Sequence, residues 1–173
     1  MTVRTILTEP NKILRQISKP VQAVGKEEKK LMDDMLDTMY AAPGIGLAAI
    51  QIGIAKRVVV IDVSKDQEKS PLFFVNPEII WKSESRGSYE EGCLSIPNQF
   101  ALVERPEKCK VKYLDYNGQQ SILEAEGILS TCIQHEVDHL NGVLFIDHLS
   151  KLKKSLIEKK VAKQKKEQER IVV

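Results

Sequence analysis

A chain of 173 residues, 42% hydrophobic and 29% charged, is long enough for one well-buried core and short for two, so one domain with appendages is expected. The net charge of +2 hides a division: residues 151–173 hold nine Lys/Arg against three Glu, a local +6, so any attraction for a polyanion lies in the tail and not in the body. Three irregularly spaced cysteines (Cys93, Cys109, Cys132), no secretory leader and no apolar run near membrane-span length argue against a disulfide-framed secreted protein or a membrane protein, and favour a reducing cytoplasm.

Residues 1–24 read as an irregular lead with one short helical piece, Asn11 to Ile17, between Pro10 and Pro20. Glu27 to Tyr40 carries Leu31, Met35, Leu36 and Met39 at helical spacing with charges on the other face, which predicts an amphipathic helix. After Pro43 comes Gly44-Ile45-Gly46-Leu47-Ala48-Ala49-Ile50-Gln51. Its letters fit G-x-G-x-x-A, but a dinucleotide fingerprint leaves a strand and opens a helix, whereas here a helix precedes and the strand Arg57 to Val63 follows. The glycines instead permit close approach of backbone to a ligand, with Gln51 as a polar group beside it.

Leu72 to Val75 and Glu78 to Lys82 are short strand candidates around Asn76-Pro77. Arg86 to Glu91 leads into Gly92-Cys93-Leu94-Ser95-Ile96-Pro97, and Phe100 to Glu104 resumes an extended pattern. Lys108 to Tyr116 and Gln119 to Ala125 read as a hairpin turned by Asn117-Gly118, which suits a two-residue primed turn. Helices at both ends with strands between them predict an α+β domain. Its mixed or antiparallel strands would pack around a central metal-binding helix.

That helix is carried by Leu129, Ile133, Val137 and Leu140, an apolar stripe at steps of four, four and three, with Gly142 as the C-terminal cap. Within it, Gln134-His135-Glu136-Val137-Asp138-His139 puts two imidazoles one turn apart on one face, able to grip a single metal ion. Ile128 and Cys132 share that face and Thr131 borders it, so they would line an apolar pocket beside the metal. Taken alone, the same residues would also suit a polar helix surface.

A catalytic metal site wants a third protein ligand and an open position. Six residues after His139, where a metzincin has its third His, stands Phe145. Glu158 sits among tail lysines that would pair with it, and His148 follows a different element. Cys93, between Gly92 and Leu94, is the stronger candidate, since a thiolate suits Fe, Zn, Co or Ni.

The stretches Gly44 to Gln51, Glu91-Gly92-Cys93-Leu94-Ser95 and Gln134 to His139 together resemble the three signature motifs of the peptide deformylases of bacterial type, in the same order and at similar separations. The resemblance implies Cys93, His135 and His139 as metal ligands, Glu136 as catalytic acid/base, and the Gln51 side chain and Leu94 amide as oxyanion donors. Gly44, Ile45, Gly46, Tyr89, Glu91 and Gly92 join Ile128, Thr131 and Cys132 as expected substrate-binding residues. The implied activity is hydrolysis of the formyl group from the N-terminal formylmethionine of nascent chains, with Fe(II) as the native metal and Zn, Ni or Co as substitutes. The chain departs from the pattern at Phe100, where some bacterial members carry Arg, and this bears on preference beyond methionine. Two rivals stand beside this reading: a zincin-type endopeptidase, and a ribosome- or RNA-binding protein with a structural metal.

Residues 1–150 would form the catalytic domain of a monomeric, cytoplasmic protein, and 151–173 a basic C-terminal helix or tail. Leu149, Leu152 and Leu156, widened by Ile157 and Val161, predict that the near half of the tail docks. The lysine-rich far half would project and meet the ribosome.

Overall fold

The computed structural model describes residues 2–65 and 68–171. Three helices, α1 (Lys26–Ala41), α2 (Gly127–Leu140) and α3 (Lys151–Ile171), accompany seven strands. These are β1 (Gly46–Ala48), β2 (Val58–Ile61), β3 (Leu72–Lys82), β4 (Arg86–Cys93), β5 (Ile96–Pro106), β6 (Lys108–Leu114) and β7 (Gln120–Glu126). The sheet order is β1-β2-β3-β6-β7, with every neighbouring pair antiparallel, and β4 and β5 form a separate two-stranded arm. Among the described residues, no helix is long and apolar enough to cross a membrane.

The continuous run Val58-Val59-Val60-Ile61 is buried along its whole length, because helices cover both faces of β2. Strand residues alternate between faces, so Val59 and Ile61 meet Ile133 and Leu140 of α2, while Val58 and Val60 meet Met32, Met35 and Met39 of α1. One charged residue of α1, Asp34, is also buried: the N-terminal segment crosses it, and its carboxylate accepts from Thr2 N, Arg4 and Lys30.

Local structure departs from the expected pattern in three places. Gly46–Ala48 is not loop but an edge strand paired with β2, and a 3-10 turn, Ala49–Ile52, follows it. The two short strands around Asn76-Pro77 are one strand, β3, interrupted by a bulge at which Asn76 takes a φ of 52°. Asn76 holds that conformation by clasping the lead segment, its side chain accepting from Val21 N and donating to Val21 O, both at 2.7 Å. The β6–β7 turn is not the primed two-residue type, since only Gly118 has positive φ. Asp115 favours the longer turn because its carboxylate accepts from Asn117 N and Gln119 N, each at 2.9 Å.

A third cluster joins the arm to the tail: Leu14, Ile96, Val103, Phe145, Ile157 and Val161. The tail does dock, through Ile157 and Val161 of the expected stripe with Leu149 beside them, whereas Leu152 is 71% and Leu156 48% exposed. Lys154, on the same side of α3 as the docked Ile157 and Val161, donates through Nζ to Asp147 at 2.7 Å.

Asp147 also accepts from Arg15 and from Leu144 N, tying three segments together. Burial works to raise its carboxyl, but the hydrogen bonds from Arg15 and Lys154 prevail and hold it down at about 2. A carboxylate depressed on folding contributes stability above its ordinary value near 4, and that contribution disappears as pH falls toward 2. Asp147→Asn is therefore expected to lose about 1 kcal/mol at pH 7, after allowance for solvent screening. Urea unfolding at pH 7 and near pH 2 checks this; a deficit of the same size at both would assign the loss to packing and not to charge.

Candidate active site

Helix α2 presents Ile133 and Leu140 to the sheet, Cys132 and Glu136 to Gly46 of β1, and His135 and His139 to the β4–β5 arm. Its C-terminal end is fixed by Asn141 and by Gly142, whose φ is 74°. A Cβ on Gly142 would lie 2.4 Å from the Arg15 carbonyl oxygen, so only glycine allows this close approach. Arg57 Nη1 donates to Leu140 O and Asn141 Oδ1, placing a cation at the negative end of the helix.

Cys93, at the end of β4, meets the two imidazoles. Its Sγ lies 3.3 Å from His139 Nε2, which in turn lies 3.3 Å from His135 Nε2. Two ligand atoms held at tetrahedral angles about 2.0 to 2.3 Å from one ion are separated by about 3.3 to 3.7 Å, so these spacings fit a shared cation. Among the described residues, Cys93, His135 and His139 form the one such cluster, and it contains three protein groups. Three ligands with a face left open is the arrangement of a catalytic site; a structural site closes with a fourth. Burial, reinforced by His135, holds His139 well below the ordinary histidine range, so its imidazole stays neutral with a lone pair to offer. The other candidates fall elsewhere: Phe145 stacks on His135, His148 bonds Asp138, and Glu158 lies on α3.

A second layer orients the ligands. Glu91 Oε1 meets His135 Nδ1 at 2.8 Å, fixing the ring so that Nε2 faces the cluster. Glu91 is gripped by Arg105 through two hydrogen bonds of 2.7 and 3.0 Å, and Arg105 also donates to Asp138, which bonds His148 at 2.8 Å. Burial works to raise Glu91, but the bonds from His135 and Arg105 prevail and lower it, keeping it an anion. Glu91 thus orients His135 and also lines the cavity. Sequence reasoning passed over Arg105, Asp138 and His148 as site residues, because no spacing rule links a residue on β5 to one on β4 and another on α2. It also passed over Ser95, although Ser95 stands within a quoted motif.

Gln51, 1% exposed, has its Oε1 held by Ala48 N at 2.9 Å, which aims Nε2 at Ser95 Oγ (3.0 Å) and at Cys93 Sγ (3.5 Å). Glu136 lies against Gly46, where a Cβ would come within 2.5 Å of its Oε1. Its Oε2 is buried without a hydrogen-bond partner, a cost tolerated where the group is needed for chemistry. Burial raises the Glu136 carboxyl to about 7, the range in which a group can both take and return a proton.

These residues open on a cavity of about 460 Å³. Gly44, Ile45, Gly46 and Gln51 line one side, and Tyr89, Glu91, Gly92, Cys93 and Leu94 another. Ile128, Thr131, Cys132, His135 and Glu136 of α2 form the third. Of the residues singled out in the sequence only His139 is absent from the lining, being fully buried behind the cluster. Phe100, where the chain departs from the family pattern, also lines the cavity, as does Glu90, which had no assigned role.

The sequence model of the polypeptide deformylase family matches residues 3–155. The peptide deformylase of Pelagibacter ubique is 67% identical over 164 residues, covering 94% of this chain and 95% of that protein. A crystal structure of the Ehrlichia chaffeensis peptide deformylase superposes with a TM-score of 0.93 at 40% identity, covering 96% of this chain and 99% of that one. A class I type b peptide deformylase from Acinetobacter baumannii, described with Met-Ala-Ser bound, superposes with a TM-score of 0.81 at 35% identity, covering 86% and 99%. The match extends over nearly all of the chain, at identities that carry function as well as fold, and its residues include the whole Cys93–His135–His139 cluster: the chain belongs to the polypeptide deformylase family.

Proposed function

We propose that the protein removes the formyl group from the N-terminal formylmethionine of nascent chains, releasing formate, with Fe(II) as its native metal and Zn, Ni or Co as substitutes. The observation that carries this reading is the three-ligand Cys93–His135–His139 cluster beside a buried Glu136, at a cavity lined mainly by apolar surface. When bound, such a cation supplies Lewis acidity, polarising a carbonyl and lowering the pKa of a water from about 15.7 toward 7.

The chain's own groups do the rest. Glu136 accepts a proton from the water whose oxygen bonds to the formyl carbon, then delivers it to the nitrogen as the carbon–nitrogen bond breaks. The Gln51 Nε2–H and the Leu94 N–H donate to the carbonyl oxygen as it gains charge. Ile128, Thr131 and Cys132, with Tyr89 opposite, receive the methionine side chain, while Gly44, Gly46 and Gly92 make room for the Leu94, Glu136 and Phe100 side chains that pack over them. An unformylated peptide beginning with methionine, as in the Acinetobacter structure, is what this reaction would leave behind. Residues 1–150 would carry the catalysis, as a monomer in the cytoplasm.

Purification without oxygen, metal analysis, and assay of a formyl-Met-peptide beside a peptide offering only internal bonds test the reading. Formate release with one metal per chain and no internal cleavage is expected. Internal cleavage would favour a zincin endopeptidase, and a metal that neither reaction needs would favour a structural site.

The tail supplies the proposed link to the ribosome. Among residues 151–170, Ile157 and Val161 are the last buried ones, so truncation after Val161 removes Lys163, Lys165, Lys166 and Arg170 while leaving the docked part of α3 in place. Hydrolysis of short formyl-peptides is expected to survive, while cosedimentation with ribosomes weakens, and the intact protein's association should fall as salt rises. Salt-insensitive cosedimentation unchanged by truncation would leave the tail without this role.

A further inference from the structure

Helix α2 borders a second cavity, of about 690 Å³, on a face that the metal site does not use. Gln134, Val137, Asp138 and Asn141 line it, at steps of three, one and three that fall on one side of a helix. The cavity beside the metal takes Ile128, Thr131, Cys132 and His135 instead, and the sheet takes Ile133 and Leu140. A space of this size lies within the range of a small-molecule site. None of the clustered metal donors lines it, nor does Gln51 or Glu136.

The walls combine apolar surface, from Pro20, Pro77, Ile79, Pro106 and Val137, with charged side chains. Four of the charges cancel in pairs, Arg86 with Glu104 at 2.8 Å and Arg105 with Asp138 at 2.9 Å. Among the described residues Arg57, Lys82 and Glu78 make no ion pair, which leaves the cavity a surplus of one positive charge. Arg57 is the half-buried member of these three. Its Nη1 donates to Leu140 O and Asn141 Oδ1, both neutral acceptors, and burial pushes its pKa down with no carboxylate to oppose the shift. A guanidinium drawn out of water without a counter-ion is costly, and an anion beside it offsets that cost.

We infer that this cavity is a second ligand site, for a small monocarboxylate with an apolar body, whose carboxylate meets Arg57 and whose body lies against the proline-lined walls. The guanidinium fork matches the two oxygens of a carboxylate. A phosphate monoester, at about −1.5 to −2 near neutral pH, would exceed the single surplus charge and meet Glu78, Glu104 and Asp138 on the same walls. A neutral ligand would leave Arg57 without its counter-ion. The site lies behind the metal cluster, against the supports of both imidazoles: Arg57 holds the carbonyl that follows His139, and Arg105 grips the Glu91 that orients His135.

The test titrates the zinc-loaded protein with 3-phenylpropionate and follows the backbone amides by NMR, with 3-phenylpropanol and phenyl phosphate as comparators. Saturable shifts centred on Asn76, Val137 and Asn141 are expected from the carboxylate, with the alcohol binding about 10-fold more weakly, since a hydrogen-bonded charge is lost. Arg57→Gln should weaken the carboxylate by about the same factor. Lys82→Gln, at an exposed position where folding is not at stake, should weaken it several-fold. Shifts centred on Gly46 and Leu94 would place the carboxylate at the metal and overturn the site. Equal binding of the alcohol, tighter binding of phenyl phosphate, or an affinity unchanged by Lys82→Gln and Arg57→Gln would overturn it as well. None of these readouts involves formate release, so the proposed reaction stands or falls separately.

Discussion

Replacing Glu136 by alanine is expected to leave one metal ion bound per chain and to lower turnover by about 10²- to 10⁴-fold, the range for loss of a general acid/base. Metal should be retained because Glu136 is not among the three clustered donors, and Glu91, not Glu136, holds His135 in place. Turnover should collapse because, among the described residues, no other carboxylate lines the cavity with a buried, unpaired oxygen: Glu91 is committed to His135 and Arg105, and Glu90 is exposed at the rim. Glu136→Gln keeps shape and volume while removing the basic oxygen, so it should fall nearly as far. Metal analysis alongside formate release decides the matter. Near-normal turnover at full metal occupancy would sink the assignment of Glu136, and loss of metal would mean that the carboxylate supports the cluster.

The second large effect is expected at Gln51. Removing one oxyanion donor costs about 10²- to 10³-fold in turnover, because the charge it stabilises exists only as the reaction proceeds. Gln51→Ala should therefore depress kcat far more than it raises KM. It should also unsettle the site, since Ala48 N and Ser95 Oγ lose buried partners, at about 1 to 3 kcal/mol of stability. Gln51→Glu separates the two roles, because its carboxylate can still accept from Ala48 N but has no N–H to give. A kcat deficit shared by both variants, with stability recovered in the glutamate form, is the expected pattern. If KM alone changes, Gln51 holds substrate and takes no part in the chemistry.

Much of the site could be read before any tertiary contact was known, and for a physical reason. Spacing of four on a helix forces His135 and His139 onto one face whatever the rest of the chain does, and an apolar stripe at Leu129, Ile133, Val137 and Leu140 forces the opposite face inward. Cys93 was a different matter. Its residue type suited a metal, but its place beside the imidazoles depends on the β4–β5 arm folding over α2, and three motifs in a familiar order pointed to it where local pattern could not.

What the sequence by itself determined, then, was periodicity and chemistry: which stretches are helix or strand, which face is apolar, and which donors are available. Tertiary structure alone decided partnership. Val58 to Ile61 reads as a buried strand from its composition, but only the stacking of α1 and α2 shows which of its side chains meets which helix. The tail's leucines have helical spacing, yet in the packed chain Ile157 and Val161 dock, with Lys154 reaching Asp147 on the same side, and Leu152 and Leu156 do not. The chain from His135 through Glu91, Arg105 and Asp138 to His148 joins residues as far as 44 positions apart. No local pattern encodes such a chain, because a side-chain hydrogen bond depends on where two backbones finish in space, and that is fixed only once the sheet, the arm and the helix have packed together.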